Sequence, residues 1–135
     1  MAIPRTLEEH LRDGKIVPFV GAGVSMAVRN KETDAPLFPS WKQLLERAAQ
    51  RLEEEQKKAE SQVVRGLLAI TKPDYLDAAR RARDGLGGAV WVEFLKEQLD
   101  PPWECVNDES LSLARAVWKL GSQLVITTNY DRVLH

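Results

Sequence analysis

The chain has 135 residues, of which 44% are hydrophobic and 29% charged, a composition typical of one globular domain and not of a disordered chain. Its 19 basic and 20 acidic residues leave a net charge of -1, so no basic excess draws it to nucleic acid or to an anionic membrane. The single cysteine, Cys105, excludes an internal disulfide and fits a reducing compartment. Because no apolar run is long enough to span a bilayer, we expect a cytoplasmic protein that does not contact membranes or bind nucleic acid directly.

The first predicted elements are a short helix and a strand. Thr6 and Glu9 match a capping box, which predicts a helix that runs to Gly14. Residues 16–20 form a continuous, β-prone apolar run, as expected of a strand buried in a parallel sheet. Pro18 counts slightly against a central position in that sheet.

Helices are predicted for most of the middle of the chain. Ser40 and Gln43 match a second capping box. The apolar residues that follow recur at helical spacing: Trp41, Leu44, Leu45, Ala48, Ala49 and Leu52. The charged stretch 53–60 is interpreted as a solvated face with the pairs Glu53/Lys57 and Glu54/Lys58. Further helices are predicted over 63–68, from an Asp74 cap to a break at Gly85, Gly87 and Gly88, over 91–99, and from an Asp108 cap to Gly121.

A second β-prone run, residues 124–128, leads directly into Asn129. We predict that Val20 and Ile126 lie on parallel, neighbouring strands, and that Gly21 and Asn129 open on the same edge of the sheet. The predicted fold class is therefore α/β, a Rossmann-like parallel sheet with many helices.

Two strands do not complete such a sheet, because parallel sheets usually have several strands and helices over both faces. Residues 1–135 are therefore expected to be the N-terminal part of one domain, incomplete in this chain. A further domain or a partner protein is expected beyond His135, and homo-oligomerisation is left open.

Two segments carry the candidate chemistry. Gly21-Ala22-Gly23-Val24-Ser25 leaves the first strand through a glycine turn, which lets backbone amides approach a phosphate closely. It lacks the third glycine of the dinucleotide fingerprint and the lysine of a P-loop, so a tight structural turn is an equal alternative. Thr127-Thr128-Asn129-Tyr130-Asp131 places polar side chains at the edge where ligands of α/β sheets bind. Alone, an Asn and an Asp after a strand more often form a helix cap and a turn than a ligand site.

Together the two segments resemble the sirtuin-like family, in which a GAG-x-S turn follows the first strand and a T-x-N-x-D motif follows a later one. The motif sequences are most similar to those of the bacterial NAD-consuming defence proteins, whose second motif is commonly TTNYD. Their first motif is commonly followed by a helix that opens near Pro-x-Trp, matched here by Pro39, Ser40 and Trp41. The resemblance extends from about Ile16 to Leu134.

The resemblance implies that the ligand is NAD and that the site holds no metal. The binding residues that it implies are Gly21, Ala22, Gly23, Ser25, Thr128, Asn129 and Asp131. Among them the glycine turn and Ser25 would cradle the phosphates, Asn129 would face the ribose next to nicotinamide as the catalytic residue, and Asp131 would hold the carboxamide. The reaction would break the nicotinamide glycosidic bond through an oxocarbenium-like state, helped by electrostatic positioning.

Two departures from the family limit this assignment. Protein-deacylating sirtuins have Gly-Ile-Pro-Asp-Phe-Arg after the first motif, Gln before the Asn and a four-cysteine zinc module. Residues 27–30, Thr128 and the single cysteine do not match them, which disfavours a deacylase. The catalytic histidine of the family lies tens of residues beyond the Asn motif, and neither His10 nor His135 matches it. We therefore expect this chain alone to lack NAD hydrolase activity.

Three functions remain open from the sequence. The first is a NAD glycohydrolase that releases nicotinamide, implied by the resemblance to act in antiphage defence. The second is a non-catalytic module that senses NAD or ADP-ribose or mediates oligomerisation. The third is a helical interaction domain in which the glycine turn is structural and no nucleotide binds.

Overall fold

A computed structural model describes residues 3–134 of the chain, which divide into two compact units. The helical unit is Phe38–Pro101, and the sheet unit comprises the described residues up to Leu37 together with those from Pro102 onward. In chain order the elements are α1 (Arg5–Arg12), β1 (Phe19–Val20), α2 (Gly23–Met26), α3 (Trp41–Glu54), α4 (Lys58–Ala69), α5 (Tyr75–Leu86), α6 (Gly88–Leu99), 3-10 turns at Trp103–Cys105 and Asp108–Leu111, α7 (Ser112–Lys119) and β2 (Ile126–Thr127). The prediction that residues 1–135 belong to one domain stays a prediction.

The predicted Rossmann-like α/β fold is wrong. The structure is 58% helical, and within residues 3–134 the sheet consists of two strands of two residues each. The reason lies in the long stretch between the strands, where apolar residues recur at helical spacing and the resulting helices bury them against one another. A sheet with helices on both faces therefore does not form in the described chain.

The helical unit has its own apolar core, built from α3, α4, α5 and α6. Its buried residues are Leu44, Leu45, Ala48, Ala49, Leu52, Val64, Leu68, Ala78, Ala82, Leu86 and Phe94. Gly85 was expected to break α5 but lies inside its last turn. A Cβ atom at Gly85 would stand 2.9 Å from Leu52 Cδ2, so glycine here permits close approach of α5 to α3.

Two of the four predicted helix caps are confirmed. Ser40 and Gln43 form a reciprocal capping box at α3, and the Asp74 carboxylate accepts the Asp77 N–H at α5. The Thr6 cap is wrong, because α1 begins directly after Pro4. The Asp108 cap is also wrong. The capping residue is Asn107, one position earlier, whose side chain accepts a hydrogen bond from the Glu109 N–H.

Only the first two residues of the charged stretch 53–60 belong to α3, which ends at Glu54. The chain leaves the helix through Gln56, whose φ of 63° lies in the left-handed region, and α4 starts at Lys58. Lys57 Nζ donates a hydrogen bond to the Gly85 carbonyl oxygen at the end of α5, at 2.7 Å. Glu53 accepts hydrogen bonds from the buried Ser61 Oγ (2.9 Å) and from Arg65 Nε (3.2 Å). Lys57 and Glu53 thus bond to these groups and not to each other, as the predicted pair Glu53/Lys57 required.

The sheet unit contains the parallel strand pair that the sequence predicts. Phe19 pairs with Ile126 and Val20 with Thr127, so the two strands are parallel neighbours as expected. Both strands are shorter than the apolar runs of the sequence. Just before β1, the Pro18 carbonyl oxygen accepts a hydrogen bond from the Ile126 N–H at 2.9 Å. No helix in the described part of the chain has both the length and the hydropathy needed to cross a bilayer.

Candidate functional site

The glycine turn lies between β1 and the short helix α2. Gly21, Ala22 and Gly23 are exposed at the end of the strand, and the Gly21 carbonyl oxygen accepts the Val24 N–H at 3.3 Å. The chain then turns inward, so that Ser25 on α2 is buried with 3% of its surface exposed. The segment thus presents an exposed backbone turn above a buried hydroxyl group.

The second segment follows β2 as a series of turns. The Asn129 N–H donates a hydrogen bond to Thr127 Oγ1 at 3.0 Å, and the Val133 N–H donates one to Asp131 Oδ1 at 3.0 Å. No helix begins in the described residues after Thr127, so the alternative that Asn129 caps a helix near Tyr130 is wrong there. Short side chains of Thr and Asp fix this loop through local hydrogen bonds to the backbone.

A chain of hydrogen bonds joins the two segments, and we refer to Ser25, Asn129 and Asp131 as the polar network. Asn129 Nδ2 donates to the Gly21 carbonyl oxygen (3.1 Å) and to Ser25 Oγ (3.0 Å). Ser25 Oγ in turn donates to Asp131 Oδ2 at 2.6 Å. Residues more than a hundred positions apart in sequence therefore meet at the carboxyl ends of both strands, the edge that the sequence predicts.

The direction of these hydrogen bonds defines what the network offers to a ligand. Both N–H groups of the Asn129 side chain are directed at protein atoms, and the Ser25 proton is directed at Asp131. Within residues 3–134 no donor is assigned to Asn129 Oδ1. Asn129 therefore presents an oriented acceptor, which suits a ribose hydroxyl group or a water molecule.

The glycines of the turn are not explained by the packing of the described chain. Gly21 and Gly23 do not have positive φ, and a Cβ atom at either position would have no heavy atom within 4 Å. Gly66 and Gly88 share both properties, but neither contributes to the polar network. At Gly21 and Gly23, glycine instead keeps the backbone accessible from outside.

The backbone of the turn also supplies free donors. Across residues 3–134 no acceptor is assigned to the N–H groups of Gly21, Ala22 and Gly23. Neighbouring backbone N–H groups in a turn can bind an anion such as a phosphate. Thr128, another residue of the predicted site, is exposed after β2. Ser25 and Asp131 lie in the network, bonded to each other.

The remaining chemistry-bearing residues lie elsewhere. His10 is exposed on α1 and has no contact with the network among the hydrogen bonds and ion pairs of the described residues. His135 lies outside the described residues. Residues 3–134 contain no cluster of three or more His, Cys, Asp and Glu side chains placed to hold a metal ion.

Comparison of the chain with models of protein families, with curated proteins and with solved structures finds no significant match. The resemblance to the sirtuin-like family therefore stays a prediction from the two sequence motifs.

Thr127 is the supporting residue that the sequence did not assign a role. Its hydroxyl oxygen accepts a hydrogen bond from the backbone N–H of Asn129. The signal was present in the sequence, because a Thr two residues before Asn often accepts the backbone N–H in a turn of this kind.

Proposed function

We propose that the Gly21–Ser25 turn and the Asn129–Asp131 segment form a NAD-binding site, and that the protein breaks the nicotinamide glycosidic bond of the bound NAD. The observation that carries this proposal is the meeting of the two motifs in one polar network beside glycines that the fold itself does not require. A turn kept only for structure would not need glycine at Gly21 or Gly23.

The binding role follows from the two kinds of groups at the site. The exposed N–H groups of the turn suit the pyrophosphate, which carries negative charge and several acceptor oxygens. The acceptor Asn129 Oδ1 suits a ribose hydroxyl group, and the Asp131 carboxylate suits the N–H groups of the nicotinamide carboxamide. NAD contains all three of these chemical groups, whereas a nucleoside monophosphate such as AMP lacks both the pyrophosphate and the carboxamide.

In the proposed reaction the chain positions the ribose. Bond cleavage develops positive charge on the ribose as nicotinamide leaves, and fixed acceptor atoms stabilise that charge without reorganising. Asn129 Oδ1 and Asp131 provide such acceptors, held in place by Ser25. The oxygen atom of a water molecule or of another hydroxyl acceptor then bonds to the ribose carbon that nicotinamide has left, and its proton is released to solvent.

A second function, binding without turnover, is favoured by one observation. The donors of Ser25 and Asn129 are all used in bonds to protein atoms, so the network is already satisfied. A module that senses NAD or ADP-ribose needs such a rigid site but no catalytic group. The antiphage role implied by the resemblance is part of the first proposal.

The glycines provide the sharpest test of binding. Gly23→Ala is expected to fold normally, because the added methyl group meets no protein atom, and to weaken NAD binding at least about tenfold by obstructing a close phosphate approach. Gly66→Ala is the matched control, since it also adds a methyl group in open space but lies in α4. Isothermal titration calorimetry of NAD with the purified chain measures both. Equal affinities of Gly23→Ala and the wild type would contradict the proposed site, as would failure of the wild type to bind millimolar NAD.

Nicotinamide release separates the two functions. In the natural full-length protein, Asn129→Ala is expected to reduce nicotinamide release by a factor of about 100 to 1,000 if Asn129 stabilises the developing charge. Chromatographic assay of nicotinamide after incubation with NAD measures this factor. Binding of NAD with no release by the wild-type protein would favour the sensing module.

A further inference from the structure

The polar network contains one side chain that can adopt two orientations of opposite chemistry. A half-turn of the Asn129 amide exchanges its oxygen and its nitrogen with little change in shape, so the neighbouring groups decide which of them faces outward. Asn129 Nδ2 lies 3.1 Å from the Gly21 carbonyl oxygen and 3.0 Å from Ser25 Oγ. Both of these partners must accept a hydrogen bond for Oδ1 to face outward.

The two partners differ in how firmly they fix that orientation. The Gly21 carbonyl oxygen can only accept, whereas the Ser25 hydroxyl group can either accept or donate. If the Ser25 proton pointed at Asn129, it would meet the N–H groups of the amide, and a half-turn would relieve the conflict. That half-turn would bring Oδ1 against the Gly21 carbonyl oxygen and turn the N–H groups outward. The direction of the Ser25 proton therefore controls what Asn129 presents.

Asp131 sets the direction of the Ser25 proton, because its carboxylate accepts from two donors at once. Oδ2 accepts the Ser25 hydroxyl proton at 2.6 Å, and Oδ1 accepts the Val133 N–H at 3.0 Å. An asparagine in this place has a single acceptor oxygen for these two donors. The Val133 N–H is fixed in the backbone, whereas the Ser25 hydroxyl group can rotate. The amide oxygen would therefore face Val133, and its N–H groups would face Ser25.

We propose that Asp131 is a positioning residue, which acts through Ser25 to hold Asn129 Oδ1 outward as an acceptor. Ser25 is 3% exposed and its proton is already used, so it acts on Asn129 and not on a phosphate group. This task of Asp131 is separate from its contact with the carboxamide. Use of the outward oxygen to bind a ribose hydroxyl group rests on the proposed function, whereas the orientation itself does not depend on NAD.

Nuclear magnetic resonance of the isotope-labelled chain tests the orientation without a ligand. In the wild type both side-chain amide protons of Asn129 are expected to exchange slowly with water, because both are bonded to protein atoms. Asp131→Asn is expected to accelerate their exchange at least about tenfold, since the reversed Ser25 proton turns them outward. Asp34→Asn is the matched control, because it removes one negative charge at an exposed position of the same unit. Exchange in Asp131→Asn as slow as in the control would overturn the proposal.

Ser25→Ala keeps the test decisive if Asp131→Asn does not fold. Without the hydroxyl group, the Gly21 carbonyl oxygen still accepts from Asn129 Nδ2 but the second partner is lost. One amide proton of Asn129 is therefore expected to stay protected while the other exchanges freely. Equal exchange rates of the two protons in Ser25→Ala would overturn the proposal.

Calorimetric titration with ADP-ribose and with ADP tests what the outward oxygen binds. ADP-ribose carries the second ribose but no nicotinamide, so the carboxamide contact of Asp131 does not contribute. Asp131→Asn is expected to weaken ADP-ribose binding about tenfold and to change ADP binding by less than about twofold, because ADP has the pyrophosphate without that ribose. An unchanged ratio of the two affinities would overturn the role toward the ribose. If the wild type binds neither ADP-ribose nor NAD, the proposed function fails, and the exchange rates alone decide the orientation.

Discussion

Replacing Ser25 with alanine removes the central member of the polar network. Its hydroxyl group accepts a hydrogen bond from Asn129 and donates one to Asp131, and it is buried on α2. Ser25→Ala therefore leaves a carboxylate oxygen and an amide N–H without their partner. Because the two segments are joined at this point, the change is expected to loosen both.

The magnitude follows from the two bonds. A hydrogen bond to a charged group contributes about 1.5–3 kcal/mol and a neutral one about 0.5–1.5 kcal/mol. Asn129 and Asp131 are half-buried, so hydrogen bonds to water replace part of the free energy that is lost with the Ser25 hydroxyl group. We expect Ser25→Ala to lower the free energy of unfolding by about 2 kcal/mol, which corresponds to a fall in Tm of about 7 °C for a chain of this size.

A double-mutant cycle assigns this energy to the bond between Ser25 and Asp131. Urea unfolding of Ser25→Ala, Asp131→Ala and the double variant is expected to give a coupling energy of about 1.5 kcal/mol. Ser112→Ala, at an exposed position in α7, is the control and should stay within about 0.5 kcal/mol of the wild type. A coupling energy below about 0.3 kcal/mol would refute the role given to this bond.

Three further predictions concern the helical unit. Gly85→Ala is expected to destabilise the protein by about 1 kcal/mol, because overpacking against the buried Leu52 outweighs the gain in helix propensity. Ser40→Ala should cost about 1 kcal/mol through loss of the capping box. Hydrogen bonds from Ser61 and then Arg65 lower the pKa of Glu53 below its ordinary value of 4.5, so the stability that they provide is present above that pH and is lost as the pH falls further.

Each of these has its own measurement. For Gly85→Ala and Ser40→Ala it is the urea midpoint, and a stabilised Gly85→Ala or an unchanged Ser40→Ala would contradict the packing and the cap. For Glu53, thermal melts between about pH 5 and pH 3 should show a steeper loss of stability in the wild type than in Glu53→Gln. Parallel curves for the two proteins would show that Glu53 does not contribute to the acid sensitivity.

The meeting of the two motif segments was more predictable from the sequence than the fold class was. The motif positions predicted that Gly21 and Asn129 would open on one edge, and Asn129 Nδ2 indeed donates to the Gly21 carbonyl oxygen. That prediction succeeded because it needed only two parallel strands, each ending at its motif. The direction of each hydrogen bond could not be read from the sequence, because it depends on side-chain rotamers.

The fold class failed because continuous apolar runs were interpreted as strands buried on both faces. Phe19 and Ile126 are apolar, yet they lie on an exposed face in the described chain. A short apolar run does not show what covers it. The same ambiguity affects the prediction of helix caps. Asn107 and Asp108 are both good capping residues, and only the backbone geometry selects Asn107 as the cap.

The separation of the network residues along the chain has a consequence for folding. Ser25 and Asp131 are 106 positions apart, whereas α3, α4 and α5 pack against neighbours close in sequence. Closing so long a loop costs chain entropy before any contact rewards it, so local helical contacts form early and the network forms late. Contacts that form last and rest on few bonds also tend to open first. Mild denaturant should therefore expose the amide hydrogens around Asn129 to exchange while those of α3 are still protected.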